Sequence, residues 1–342
     1  MAIFDLHKEL NKFYDEHVCL TADQKKKLVG YRDSSLERVT TGLRLLGEER
    51  KVKLKTFTTS IGQGSYTMHT LNQHPNDEYD IDEALIFAKD DLPAEAAGAR
   101  QLVVHALLKA GGGFRKDPEA RTNAVTVWYA NGPHVDFAIY REVPGFFGAT
   151  YEHAGGDAWG ARPPKAVTEW FKNQVEEKSP EVFIEVDKHQ LRRVLRWVKA
   201  FARSHVSWSL PGGMILTVLV AEVYKLDRGR DDVSLYNTLK ALKARLADSL
   251  DVRSPIENSV SLTAKAEFAE QMKALLDKLD KALANLGVLE KDNCGRDQAM
   301  HAWGTFFNHG FWGEVAEAEG PVDIAKNGVA NSKLAVTVAR SK

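Results

Sequence analysis

The sequence predicts an α+β protein of two lobes, a mixed sheet with flanking helices followed by a helical lobe. Strand-like runs are confined to residues 51–141, and beyond residue 165 the apolar residues recur at helical spacing. Between these halves lies a glycine- and aromatic-rich stretch without period, Pro144 to Pro164, expected as a crossing loop. The 342 residues, 44% apolar and 27% charged, supply ample core and exclude a disordered or collagen-like chain. Lys+Arg 46 against Asp+Glu 47 leave a formal charge of −1, which argues against a protein whose main work is gripping a long polyanion. Phosphate chemistry should therefore be local. With only Cys19 and Cys294 there is no disulfide framework and no cysteine-rich zinc site, and a reducing cytoplasm is expected. The first residues are interrupted by charge every few positions, unlike a signal peptide, and no apolar run approaches the roughly 18 residues of a membrane span.

Taken in order, Thr21 to about Glu49 places Leu28, Tyr31, Leu36, Val39, Leu43 and Leu46 at spacings of three and four, a long amphipathic helix with Thr21 or Asp23 as cap. Lys51 to Thr59 alternates lysines with Val52, Leu54 and Phe57, predicting a strand that feeds the turn Gly62-Gln63-Gly64-Ser65. A short polar loop then leads to YDIDEALIFA, a second strand carrying Asp80 and Asp82. Pro93 to Lys109 reads as a helix stopped by Gly111, Gly112 and Gly113. Residues 124–130 and 134–141 are two strands joined by a hairpin turn at Asn131, Gly132 and Pro133, which ends the mixed half near residue 145. Four helical runs follow, beginning at AVTEWF, DKHQLRR, PGGMILT and SVSLTAK, and the tail from about Gly320 has little periodicity.

Asp80 and Asp82 sit two apart on one strand, so both side chains leave the same face with Cα atoms about 6.5–7 Å apart. Such a pair suits Mg²⁺, a hard ion usually shared between carboxylates and substrate phosphates; taken alone, Asp-x-Asp equally fits a solvated acidic pair. The glycine turn ends 15 positions before Asp80 and brings backbone N–H groups and the Ser65 hydroxyl close to a phosphate, although an ordinary tight turn has the same composition. Asp136 is flanked by Val135 and Phe137, so it points to the opposite face from them; it is either a buried acid paired with an arginine or the third member of the cluster. Three acids plus a Gly-Ser turn are the parts of two-metal phosphoryl or nucleotidyl transfer. His69, His74, His134, His301 and His309 form no zinc motif and read as surface or packing residues.

The order strand, Gly62-Gln63-Gly64-Ser65-Tyr66, Asp80-Ile81-Asp82, helix, hairpin with Asp136 resembles the polymerase-beta-like nucleotidyltransferase superfamily. The QGSY…TLN run (63–73), the DID triplet, HVDFAIY, VTEWF and LRRVLRWVKAFARSHVSW are similar to the bacterial CD-NTases, the DncV-like relatives of animal cyclic GMP-AMP synthase. The likeness covers roughly residues 1–315. It implies an N-terminal helical region at 1–50, a nucleotidyltransferase core at 51–165, a helical lobe at 166–320 and a tail at 321–342, with the active site in the cleft between lobes.

By this resemblance Asp80, Asp82 and Asp136 would hold two Mg²⁺ ions, for which Mn²⁺ could substitute, and Asp136 would help activate the acceptor hydroxyl. Gln63, Gly64, Ser65 and Tyr66 would hold the donor triphosphate. Lys199 matches a helical lysine that reaches the phosphates in relatives, the other reading being an exposed helix charge. Pro211-Gly212-Gly213-Met214 departs from the pattern, because relatives often place serines there. Tyr66, Tyr140, Phe146 and Trp159 are candidates for stacking on a base. The implied activity is the joining of NTPs, ATP and GTP above all, into a cyclic purine dinucleotide such as a cyclic GMP-AMP isomer. Its setting would be anti-phage (CBASS-type) signalling with accessory proteins, in the cytoplasm, away from membrane and nucleic acid. An RNA-tailing or small-molecule nucleotidyltransferase is the second reading, for which Lys188, Arg192, Arg193, Arg196, Lys199 and Arg203 would form a basic track; a solvated helix face is the plain account of those six. A catalytically inactive nucleotide-binding protein is the third.

Overall fold

A computed structural model describes residues 3–74, 79–130, 132–180 and 189–319. The polar loop at 75–78, Asn131 of the hairpin turn, Lys188 and the tail from 320 lie outside the described residues.

The architecture is α+β, with a mixed sheet and a helical lobe. α1 (His7–Phe13) runs through a π-helical turn (Tyr14–Val18) towards α2 (Ala22–Arg50). Thr21 caps α2 as its sequence predicts: its hydroxyl accepts the Gln24 backbone N–H at 3.2 Å while the Gln24 side-chain Oε1 accepts the Thr21 N–H at 2.9 Å. The sheet contains β1 (Thr59–Gln63), β2 (Asp80–Ala88), β3 (Phe114–Ala120), β4 (Val125–Tyr129) and β5 (His134–Val143) in the order β1-β2-β5-β4-β3, extended from β5 by β6 (Thr150–His153) and β7 (Gly160–Ala161). β2 and β5 run parallel. The other pairings are antiparallel. The turn α3 (Gly64–Thr67) follows β1, and α4 (Ala96–Ala110) stops at Gly111, φ +70°.

Alternation along the strands sends Ile81, Leu85, Val125, Val127, Val135, Phe137 and Ile139 to one face, where they bury against α2 and α4. A methyl added at Gly42 of α2 would sit 1.8 Å from the Ala106 carbonyl oxygen of α4, so only glycine permits this backbone contact. α5 (Ala166–Lys178), α6 (Gln190–Ala202), α7 (Gly213–Val223), α8 (Asp231–Asp248), α9 (Ala266–Leu286), α10 (Arg296–Phe307) and α11 (Phe311–Glu319) complete the chain. Their core is separate from that of the sheet and also takes in Leu6, Leu10, Phe13 and Val18. Residues 1–50 are therefore shared: the first eighteen pack with the helical lobe, whereas α2 packs on the sheet.

The structure departs from the sequence expectation in several elements. The predicted strand at 51–59 starts only at Thr59, because the partner edge of β2 pairs no further than Ile86; Lys51 instead closes α2 at φ 55° and Lys55 pairs with Asp91 at 2.9 Å. β3 was not expected, since Pro118 and two register irregularities obscure its pattern, yet a sheet edge tolerates both. The 144–164 stretch folds as the β6 and β7 extension rather than a crossing loop. The helix predicted from residue 259 begins at Ala266, and α8, α10 and α11 add to the four helical runs that periodicity predicts. Gly304 inside α10 reads as a breaker but lies where a Cβ would come 3.1 Å from the Trp312 Cβ, a close helix approach.

Gly42→Ala is expected to lower the unfolding free energy by about 1–3 kcal/mol through overpacking at α4. Urea denaturation checks it, and an unchanged midpoint would mean that the α2–α4 contact is loose.

Candidate active site

The parallel register of β2 and β5 sets Asp80 opposite His134 and Asp82 opposite Asp136. Neighbouring strands are about 4.8 Å apart, so the two acids stand side by side on the face turned away from the sheet core. β4 brings Thr126 across from Asp136, and its hydroxyl donates to Asp136 Oδ1 at 2.5 Å. His134 Nε2 lies 3.8 Å from Asp136 Oδ2. On the other flank Gln63 pairs with Asp82 in register, and the chain then turns at Gly64 with φ +66°. A Cβ on Gly64 would fall 1.7 Å from Asp82 Oδ2, so glycine is required both by the backbone angle and by the carboxylate beneath it. Ser65 follows, its hydroxyl buried without a hydrogen-bond partner while its carbonyl accepts the Thr70 N–H at 2.8 Å.

α6 supplies the opposite wall. Lys199 donates from Nζ to the Thr70 carbonyl at 3.2 Å and hydroxyl at 3.1 Å and is 4% exposed, which corrects the reading of an exposed helix charge. Burial, with Arg203 and Arg196 nearby, lowers its pKa to about 7 against the pull of Asp80 and Asp82. Gly64, Ser65, Asp80, Asp82, Lys199 and Gly213 line a cavity of about 340 Å³ together with Arg162, Pro164 and Met214. Gly213 opens α7, and the Pro211-Gly212-Gly213 departure leaves backbone there in place of hydroxyls.

Burial, then Asp80 and Asp136, push the Asp82 carboxyl well above the usual carboxylate range, with Lys199 opposing. Asp136 is also raised, chiefly by burial and less by Asp80, against the Thr126 hydrogen bond, His134 and Arg121. Like charges held together in a desolvated place favour a cation. Among the described residues no three His, Cys, Asp or Glu side chains close on one point, so the acids fit a divalent ion shared with a substrate phosphate better than a protein-only cage. The unpartnered Ser65 hydroxyl beside them is a donor for that phosphate.

Gln63 lines the cavity, with its side-chain amide donating to the Pro164 carbonyl and, at 3.4 Å, the Tyr140 hydroxyl. Several expected roles are relocated. Tyr66 packs against the sheet core and does not line the cavity. Nor do the other stacking candidates: Tyr140 is buried, Phe146 is 97% exposed at a turn, and Trp159 donates to the Ala94 carbonyl at 2.7 Å. Asp136 stands beside Asp82 but outside the cavity lining. The basic track is overturned as well: Arg192 donates to the Met68 carbonyl at 3.1 Å, Arg193 grips Asp231 at 2.7 and 3.0 Å, and Arg196 donates to the Tyr14 hydroxyl at 2.8 Å. Only Arg203 of the described five is exposed, so α6 presents neither an RNA path nor a solvated face.

Sequence reasoning missed Thr70, Thr126 and Arg162, and took His134 for a bystander. A signal existed for Thr126: it and Asp136 lie five residues either side of Asn131, the centre of the predicted hairpin, which sets them opposite each other.

Residues 58–140 match the nucleotidyltransferase domain of the cyclic GMP-AMP synthase DncV-like family. That segment is similar to the DncV-like nucleotidyltransferases. It spans β1 to β5 and thus all three acids. A cyclic GMP-AMP synthase of Escherichia albertii is 28% identical over 249 residues, covering 68% of this chain and 52% of that protein. The chain thus spans about half the length of that curated relative. Vibrio cholerae DncV in its GTP-bound form aligns with a TM-score of 0.69 at 16% identity, covering 90% of this chain and 96% of that one. The same enzyme with the linear intermediate 5′ pppA(3′,5′)pG gives 0.68 at 17%, covering 90% and 97%. At such identities the likeness is one of fold. Among the described residues no helix is long and apolar enough to cross a membrane.

Because the Ser65 hydroxyl satisfies nothing within the protein, Ser65→Ala is expected to leave the ligand-free unfolding free energy unchanged or raise it by up to about 1 kcal/mol. Chemical denaturation checks this; a clear loss of stability would make Ser65 part of the scaffold.

Proposed function

We propose that the chain is a cyclic-oligonucleotide synthase of the CD-NTase kind, joining nucleoside triphosphates with release of pyrophosphate and closing the product into a ring. The observation that carries the reading is the registered Asp82–Asp136 pair with Asp80 beside it, roofed by Gly64 and the unpartnered Ser65 hydroxyl. Relatives that hold GTP, 3′-deoxy ATP or a linear pppApG intermediate support ATP and GTP as substrates, and a cyclic purine dinucleotide as product. Work in bacterial anti-phage signalling, alongside accessory proteins in a reducing cytoplasm, accords with the family and with two free cysteines.

Asp80, Asp82 and Asp136 would hold Mg²⁺, or Mn²⁺ in its place. Bound there, the ions would polarise the donor α-phosphate and neutralise charge on the leaving pyrophosphate. The protein's own groups do the rest. Ser65 and the backbone at Gly64 position donor phosphates, and Lys199, held at Thr70, faces them across the cavity. Asp136 Oδ1 is fixed by Thr126, which leaves Oδ2 to take the proton of the acceptor hydroxyl as its oxygen bonds the α-phosphorus and pyrophosphate departs.

Incubation with labelled ATP, GTP, CTP and UTP plus Mg²⁺ is expected to give a phosphatase-resistant cyclic product identified by mass spectrometry. Asp80→Asn or Asp82→Asn should cut turnover by at least about a hundredfold with the fold intact. Near-wild-type turnover in either variant would defeat the reading, extension of an added RNA would replace it with a tailing activity, and NTP binding without turnover would leave a binding protein.

A further inference from the structure

The end of the sheet opposite the acids carries a feature that the site does not use. Asp80, Asp82 and Asp136 stand at the first residues of β2 and β5, whereas Ala88 and Val143 end those strands roughly 25 Å away. Val143 pairs with Thr150 of β6, and the chain between them, Pro144 to Ala149, is exposed throughout. At its apex Phe146 and Phe147 are 97% and 100% exposed, where hairpin turns ordinarily carry Gly, Asn, Asp, Ser or Pro. The turn is built to present them. The Gly148 N–H donates to the Gly145 carbonyl at 3.3 Å with both phenylalanines between, and a Cβ on Gly145 would fall 2.7 Å from the Gly148 carbonyl oxygen. The two rings pack edge to face at 5.0 Å, against each other and against neither hydrophobic core.

Cations gather at the same end. Lys89 follows Ala88, which lies opposite Glu142 in the β2–β5 register. The run Lys51-Val52-Lys53-Leu54-Lys55 leads into β1 there too: Lys55 meets Asp91 at 2.9 Å, and the Thr58 N–H donates to the Ile86 carbonyl at 2.7 Å. Arg50, Lys51, Lys53 and Lys89 are exposed, and none is paired with an acid among the described residues. The nearby acids are engaged elsewhere: Asp91 with Lys55, Glu142 with the Tyr151 hydroxyl, Glu48 with Arg44 and Glu49 with Lys109, which leaves Asp90. An apolar groove on a protein would account for the rings and leave the lysines idle. An anionic bilayer uses both, taking rings into the acyl boundary and holding lysines at its phosphates.

We infer that this end of the sheet is a docking surface for an anionic lipid bilayer, with Phe146 and Phe147 entering the acyl boundary and Lys51, Lys53 and Lys89 resting on lipid phosphates. The contact is interfacial, since among the described residues no helix is long and apolar enough to cross a membrane. It leaves the cleft free at the other end of the strands, and it stands whether or not the chain joins nucleotides.

The test floats the full chain with vesicles of phosphatidylcholine alone and of phosphatidylcholine with phosphatidylglycerol in equal parts. Wild type is expected to bind the mixed vesicles at least about tenfold more tightly than phosphatidylcholine alone, and to be released by high salt. Phe146→Ser combined with Phe147→Ser should weaken that binding at least about tenfold, and the two tryptophan substitutions in their place should retain it. Lys51→Gln, Lys53→Gln and Lys89→Gln together should remove most of the preference for phosphatidylglycerol. Melting temperatures of these variants should match wild type, because the replaced side chains support neither core. Failure of wild type to bind the mixed vesicles, or wild-type binding by the double-serine variant, would overturn the inference. If wild type ignores lipid but self-associates through the same two phenylalanines, the wedge is a contact between copies and the inference falls.

Discussion

The parallel pairing of β2 with β5 in a register that sets Asp82 directly beside Asp136 is the constraint on which the rest of this molecule depends. The pairing is held from behind: Ile81, Val135, Phe137 and Ile139 are at most 1% exposed on the reverse face, so a slip of one residue would carry acids into the core and apolar side chains into the cleft. The register therefore cannot relax to separate the charges. Burial strengthens the repulsion, and the Thr126 hydroxyl and the Lys199 ammonium offset only part of it. A fold that fixes such a pair keeps two carboxylates crowded in a buried place.

The second wall of the site is tied to the first by backbone-directed contacts from α6. Arg192 reaches the Met68 carbonyl, Lys199 the Thr70 carbonyl, and the Arg196 carbonyl accepts the Asn72 side-chain amide at 2.8 Å. Arg196 itself holds Tyr14 and Cys19, while Cys19 bridges to Asn72. The loop after the Gly-Ser turn is thus clamped between helical lobe and N-terminal segment. This explains why the first eighteen residues pack with the far end of the chain. It also explains why a helix rich in arginine offers no nucleic-acid track: its charges are used inside.

Much of this was legible in the sequence where one element carried its own signal. The period and cap of α2, the strands bearing the three acids, and the glycine turn could all be read locally, as could the family resemblance they compose. What escaped depends on pairing between distant segments. β3 is a strand because β4 offers an edge to it, and 51–58 is not one because β2 offers none. Lys199 is buried because Thr70 meets it. Gln63 shows the converse, a motif residue whose neighbours also give it a structural task.

The most direct test of a charge cluster poised for metal is the melting temperature of wild type and Asp82→Asn, each in chelator and each with Mg²⁺ and a non-hydrolysable ATP analogue. With the repulsion relieved, Asp82→Asn should melt above wild type in chelator, and the magnesium-nucleotide should raise wild type far more than the variant. A variant that melts below wild type in chelator, or that gains as much from magnesium-nucleotide, would contradict the account.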